Sequence, residues 1–172
     1  MIFYIYVKLS IFAMKKRTTL ELLEQSEKVS LYSISYAMDR TTEFERFLCK
    51  FEEEASLNTD YQKILYAISI ILDKGALEKY FRPEGNIEDN LCALPIESGS
   101  IRLYCLRISD EILILGNGDV KRTKSYEQDA RLYGYALDLQ KFDKLLQRDI
   151  ADGIVIVEER ELVNIENQEY LI

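Results

Sequence analysis

Histidine and tryptophan are absent from this 172-residue chain, and glycine (7) and proline (2) are scarce. Without histidine, neither a Ser-His-Asp triad nor a Cys-His pair can form, so both kinds of nucleophilic catalysis are excluded. The three cysteines, Cys49, Cys92 and Cys105, lie far apart among apolar residues and form no CxxC pair. A structural zinc site is therefore not expected, and the thiols are interpreted as small buried apolar groups in a reducing, cytoplasmic compartment.

Basic residues are fewer than acidic ones: the chain has 22 Lys and Arg residues and 30 Asp and Glu residues, which gives a formal net charge of -8. Non-specific affinity for nucleic acid comes from Lys and Arg displacing counterions, so this balance excludes a general polyanion binder. A nucleic-acid site would have to be a local basic patch on an acidic body. The acidic surface suits a basic protein partner equally well.

Residues 1–13 (MIFYIYVKLSIFA) form an apolar run. The run is too short to cross a bilayer, which takes about 20 residues. A signal peptide carries its positive charges before the apolar run, whereas Lys15, Lys16 and Arg17 follow it. Two interpretations stay open: a dispensable extension before an alternative start at Met14, or an added edge strand. A membrane tether is the lesser alternative, and no membrane partner is expected.

Hydrophobic periodicity and turn residues predict an α+β fold of two layers. Helices are predicted over residues 18–28, over 41–74 as a helical hairpin with a polar turn at 56–58, and over 127–150. Capping-box patterns, Thr18 with Glu21 and Thr42 with Glu45, indicate the starts of the first two helices. Strands are predicted over residues 29–37, 91–96, 101–108 and 111–115, with a terminal hairpin at 154–157 and 161–163. The strand at 91–96 is expected at a sheet edge because Pro95 interrupts it, and turns are predicted at 82–86 and 98–100. The expected architecture is a helical hairpin packed on an antiparallel sheet of about four strands, plus a C-terminal helix.

No linker rich in proline, glycine or serine divides the chain, so residues 1–172 are interpreted as a single domain. Residues 1–28 are expected to form an N-terminal extension and helix. Residues 29–150 are expected to form the core. Residues 151–172 are expected to form a C-terminal strand hairpin or a tail.

Arg102 is an unexpected charge within an apolar strand. The two-residue period of a strand places Tyr104 on the same face as Arg102 and places Arg107 on the other face. Desolvating an unpaired charge costs on the order of several kcal/mol, so Arg102 must pair with a carboxylate or reach a groove. In one interpretation, Arg102 or Arg107 pairs with Asp110 or Glu111. In the other, Arg102 reaches a groove and binds a ligand there.

Three stretches together resemble the RelE/HigB toxin superfamily: residues 98–104 (SGSIRLY), the apolar strand 112–115, and Lys121, Arg122 and Tyr126 ahead of a helix. The resemblance covers about residues 29–150. In that family a helical hairpin precedes an antiparallel sheet, and the toxins cut mRNA on the ribosome or act as related effectors. The resemblance implies a cytoplasmic endoribonuclease whose partners are RNA, the ribosome and an antitoxin protein of the helix-turn-helix type.

The resemblance also implies roles for single residues. Arg102 would contact the scissile phosphate, Lys121 and Arg122 would stabilise charge, and Tyr126 would orient the nucleophile or stack on a base. Guanidinium groups can stabilise the charge of a phosphorane without metal or histidine, so no cofactor or metal is expected. Further substrate-binding candidates are Lys79, Arg82, Tyr104 and Arg107.

The sequence departs from the family where the best-studied members place two lysines on the strand before the turn. Residues 92–96 (CALPI) stand there and offer no lysine as a base. The alternative function is therefore a catalytically inactive RelE-like module that binds a small DNA-binding regulator. Residues 116–118 (GNG) are interpreted as a β-bulge or tight turn, because no GK[ST] sequence follows as in a phosphate-binding loop.

Overall fold

The computed structural model describes residues 15–53, 58–97 and 99–172, and for residues 58 and 126 it describes the backbone alone. The predictions about residues 1–13 lie outside this part of the chain. The predicted polar turn between the two hairpin helices also lies largely outside it, as does Ser98 of the turn that follows the strand at 91–96.

Three α-helices and nine strands form within the described ranges. The helices are α1 (Glu43–Phe51), α2 (Asn58–Lys74) and α3 (Ala130–Ala151). The strands are β1 (Arg17–Gln25), β2 (Ser30–Tyr36), β3 (Arg82–Pro83), β4 (Leu91–Leu94), β5 (Ile101–Arg107), β6 (Ile112–Val120), β7 (Ile156–Glu158), β8 (Glu161–Val163) and β9 (Tyr170–Leu171). Among these residues, no helix combines the length and the apolar composition that crossing a membrane requires.

The main sheet is mixed and has seven strands, in the order β3-β4-β5-β6-β2-β1-β9. Its neighbours are antiparallel except β2 and β6, which run parallel. The α+β class is confirmed, but the predicted antiparallel sheet of about four strands is too small. Strand β4 is also not an edge strand, since it pairs with both β3 and β5. The terminal hairpin is confirmed as β7 and β8.

The helix predicted over residues 18–28 is wrong, because residues 17–25 form β1. Thr18 and Leu20 are buried while Glu21 is exposed, and the strand pairs with β2 on one side and β9 on the other. Strand pairing on both sides outweighs a local capping pattern. The same pattern at Thr42 does cap α1, where Thr42 N donates to Glu45 Oε2 at 2.7 Å.

Helices cover both faces of the sheet, so the fold has three layers where two were predicted. Helices α1 and α2 pack on one face and α3 on the other. Strand β6 shows the reason, since Ile112 and Ile114 face α3 while Leu113 and Leu115 face the helical hairpin. A strand that is apolar on both faces requires a cover on each.

Strand β6 contains a bulge that extends it beyond its predicted end at Leu115. Leu115 pairs with Cys105 and Gly118 with Leu103, which leaves one extra residue on β6. The β-bulge prediction for residues 116–118 is confirmed. A Cβ at Gly118 would lie 1.8 Å from the Arg102 carbonyl oxygen, so only glycine allows this approach. The extension brings Lys121 beside Ser100.

Gly118→Ala is expected to lower the free energy of unfolding by about 3 kcal/mol, because a new Cβ collides with the β5 backbone. Gly134→Ala in α3 is the control, since a Cβ there meets nothing within 4 Å. Alanine should stabilise that helix by about 1 kcal/mol. Urea unfolding of both variants measures the difference, and equal stability of Gly118→Ala and wild type would contradict the close packing.

Candidate anion-binding pocket

A pocket of about 640 Å³ lies beside the ends of β3 and β6 and near the start of α3. Its charged lining residues are four basic side chains and two acidic ones: Arg82, Arg102, Lys121, Lys124, Glu84 and Glu127. Tyr104, Tyr133 and Gln140 also line it. The pocket is thus rich in positive charge, on a chain whose formal net charge is -8.

Arg102 is the most deeply buried of the four cations, with 3% of the residue exposed. Its Nη1 donates to the carbonyl oxygens of Gly99 and Ile101, both at 3.0 Å. Its Nε has no hydrogen-bond partner, and no ion pair within the described ranges includes Arg102. Pairing of Arg102 with Asp110 or Glu111 is therefore wrong. Arg102 lines the pocket, and no carboxylate of the described residues forms an ion pair with it.

Two of these cations, Arg102 and Lys121, have lowered pKa values, which result first from burial and then from repulsion by neighbouring cations. Burial, followed by the charge of Arg82, lowers the pKa of Arg102. Burial also lowers the pKa of Lys121, and the charges of Arg102 and Arg82 lower it further. An anion in the pocket would relieve this repulsion, and planar guanidinium groups suit the oxygens of a phosphate.

Glu84 is the half-buried carboxylate among these cations. Burial raises the pKa of Glu84, against the opposing effect of Arg82, Lys121 and Arg102, while Glu127 raises it further. A carboxyl group with a raised pKa is a better proton acceptor at neutral pH than an ordinary one. The pocket therefore combines anion-binding groups with a group able to exchange a proton.

Four predicted site residues, Arg82, Arg102, Tyr104 and Lys121, line this pocket together. Arg122 is exposed and is not among the lining residues; Lys124 lines the pocket instead. The backbone of Tyr126 begins a short 3-10 helix, Tyr126–Gln128, and the predicted role of its side chain falls outside what the structure describes.

The other two predicted residues, Lys79 and Arg107, line a separate shallow groove. Arg107 pairs with Asp110, as one interpretation of the sequence expected, and its Nε donates to the Ala76 carbonyl oxygen at 2.6 Å. These bonds occupy the guanidinium of Arg107. It is thus a structural group at the β5–β6 turn.

Sequence reasoning missed Glu84, Lys124, Tyr133 and Gln140. Glu84 was assigned to a turn by composition, and nothing in the sequence places that turn against β6. Tyr133 and Gln140 are seven residues apart, which puts them on one face of α3, and that spacing could have flagged them. Only the packing of α3 on the sheet shows that this face borders the basic residues.

A partly buried polar cluster around Lys50, the Lys50 cluster, connects elements that border the pocket. Lys50 Nζ, from α1, donates to the Gly118 carbonyl oxygen at 2.7 Å and to the Tyr135 hydroxyl at 3.1 Å. Asp119 of β6 pairs with Lys50 at 3.4 Å and with Arg131 of α3 at 3.1 Å. These bonds connect α1, the bulge of β6 and the first turns of α3, which carries Tyr133 to the pocket.

No group of three or more His, Cys, Asp or Glu side chains is placed to hold a metal ion in the described part of the chain. Comparison with protein-family models, with curated proteins and with solved structures finds no match. The chemistry of the pocket is therefore interpreted from its own residues.

The affinity of the pocket for sulfate is expected to fall by about tenfold as pH rises through the raised pKa of Glu84. The ionised carboxylate repels the anion, while the protonated form does not. Sulfate is the appropriate probe because its own charge is constant over this pH range. Isothermal titration calorimetry across a pH series measures the effect.

Glu84→Gln should keep the tight binding of acidic pH at every pH tested. Glu158→Gln in the exposed strand β7 is the matched control, since it removes the same charge outside the pocket. Its pH dependence should follow wild type. A pH-independent wild-type affinity would contradict the assignment of Glu84.

Proposed function

We propose that the protein is an endoribonuclease that binds a phosphodiester of single-stranded mRNA in this pocket and cleaves it without a metal ion, as RelE/HigB toxins do. The observation that carries the proposal is Arg102, a buried guanidinium with an unpartnered Nε that lines a pocket with three further cations. A buried polar group left without a partner costs about 1–3 kcal/mol, so an anion that accepts from the Arg102 guanidinium would recover part of this free energy.

The pocket residues can divide the chemistry of strand cleavage among them. The 2′-oxygen attacks phosphorus and gives its proton to the Glu84 carboxylate. The bond from phosphorus to the 5′-oxygen then breaks, and that oxygen takes a proton from the Lys121 ammonium. The products are a 2′,3′-cyclic phosphate and a 5′-hydroxyl. Arg102 stabilises the negative charge that builds on the phosphorane.

The two shifted pKa values suit these roles. Burial raises the pKa of Glu84, which makes it a stronger base, and burial together with Arg102 and Arg82 lowers the pKa of Lys121, which makes it a stronger acid. General acid–base catalysis is most effective when the pKa values of both groups approach the working pH. Glu84 would thus take the place of the lysine base that the sequence lacks before the turn.

The order of elements also supports the proposal. Strand β2 is followed by α1 and α2, then by the antiparallel strands β4, β5 and β6, and then by α3. This is the order that the resemblance to RelE/HigB toxins implies. Tyr133 is 43% exposed beside the cations and can stack on an unpaired base, a contact open to single-stranded RNA rather than to a duplex.

A protein-binding module that pairs with a small DNA-binding regulator is the second candidate function. The formal net charge of -8 favours it, because DNA-binding proteins present basic surfaces that an acidic body attracts. In that case the buried Arg102 would have a structural role, since it stabilises the turn by donating to the carbonyl oxygens of Gly99 and Ile101.

Purified protein is expected to cleave single-stranded RNA in the presence of a chelator, leaving 2′,3′-cyclic phosphate ends. Arg102→Ala should lower the rate by about 100-fold or more, since it removes a donor to the transition state. Arg122→Ala is the matched control and should stay within about twofold of wild type, because Arg122 is exposed and outside the pocket. Gel analysis of end-labelled RNA gives both rates.

Circular dichroism must first show that each variant is folded, and Arg102→Lys replaces Arg102→Ala if it is not. Intact RNA with wild type, together with a regulator complex that Arg102→Ala leaves unchanged, would establish the second candidate. Equal cleavage by Arg102→Ala and wild type would remove the pocket from the mechanism.

A further inference from the structure

One short turn holds two of the pocket cations in place. The Gly99 carbonyl oxygen accepts from Arg102 Nη1 at 3.0 Å. The next carbonyl, that of Ser100, accepts from the backbone N–H of Lys121 at 2.5 Å. A shift of this turn would therefore move the Arg102 guanidinium and the backbone that carries Lys121 together.

The turn is itself held from outside the pocket by Asp60, in the first turn of α2. Asp60 Oδ2 accepts from Ser100 N at 2.9 Å and from Ser100 Oγ at 2.5 Å. Lys63 Nζ donates to the other oxygen, Oδ1, at 3.3 Å. The hydrogen bonds from Ser100 lower the pKa of Asp60, so its carboxylate stays ionised at neutral pH.

We infer that Asp60 is a positioning residue of the anion pocket, which acts through Ser100 to set the geometry of Arg102 and Lys121. Asp60 does not line the pocket and cannot contact a ligand there. The inference rests on the proposed function only in requiring that the pocket binds an anion. Asp60 would thus influence anion binding from the opposite face of the sheet, where α2 packs.

Two physical effects of removing the Asp60 charge have opposite signs. Asp60 attracts Arg102 electrostatically, so loss of its charge alone would make the pocket more positive and would tighten anion binding. Without the charge, the hydrogen bonds from Ser100 are weaker, so the turn is held less firmly and the cations are misplaced, which weakens binding. A positioning role therefore predicts weaker anion binding, whereas loss of the charge alone predicts tighter binding.

The test is sulfate binding by isothermal titration calorimetry at neutral pH, on full-length wild type and variants. Asp60→Asn should weaken binding by about tenfold, since a neutral amide oxygen replaces the charged acceptor and the hydrogen bonds from Ser100 become about half as strong. Ser100→Ala, which keeps the bond to Ser100 N, should weaken it by about threefold. Asp73→Asn is the matched control, because it removes the same charge from an exposed site on the same helix; it should bind within about twofold of wild type.

A double variant separates positioning from general destabilisation. Because Asp60 positions Lys121 as well as Arg102, Arg102→Lys should reduce the effect of Asp60→Asn from about tenfold to about threefold, whereas general destabilisation would leave it at about tenfold. Thermal unfolding confirms that each variant is folded at the assay temperature. If Asp60→Asn does not fold, the sulfate affinity of Ser100→Ala decides between the two outcomes.

The outcomes distinguish this inference from the proposed function. Sulfate binding by wild type with equal or tighter binding by Asp60→Asn overturns the positioning role and leaves the nuclease proposal standing. Weaker binding by Asp60→Asn supports the inference even if wild type does not cut RNA. Absence of sulfate binding by wild type overturns both.

Discussion

The structure depends on one constraint: a permanently charged guanidinium is buried in a strand that is apolar on both faces. Arg102 is balanced by two backbone carbonyl groups and not by a carboxylate. Burying such a group is costly unless its charge and its N–H groups are satisfied. The surrounding elements supply only part of that requirement, which leaves positive charge beside a cavity large enough for a nucleotide-sized ligand.

Two other strands of the sheet, β3 and β6, bring further positive charges to Arg102. Arg82 lies on β3, at the edge of the sheet, and Lys121 directly follows β6. The bulge at Gly118 lets β6 continue far enough to place Lys121 beside the turn that holds Arg102. The Lys50 cluster then connects this region to both helical layers. The basic pocket on this acidic chain thus results from the register of the strands and from the close approach of the Gly118 backbone to that of Arg102.

Part of this could be predicted from the sequence. Arg102 stood out because a charge inside an apolar strand requires a partner, and the Thr42 capping box predicted α1 correctly because its bonds are local. The same local pattern failed at Thr18, where pairing with β2 and β9 decides the structure. Glu84 and Tyr133 could not be found because their approach to Arg102 depends on how β3 and α3 pack on the sheet. The helix on the second face follows from the apolar residues on both sides of β6, a signal that the sequence does contain.

The most direct test of the central claim is to observe the arginine Nε–H groups by nitrogen NMR while sulfate is added. The account predicts that the Arg102 resonance shifts and saturates, because its guanidinium gains the anion it lacks. The Arg107 resonance should stay in place, since its Nε already binds the Ala76 carbonyl oxygen. An Arg102 signal that does not respond while sulfate binds elsewhere would contradict the account.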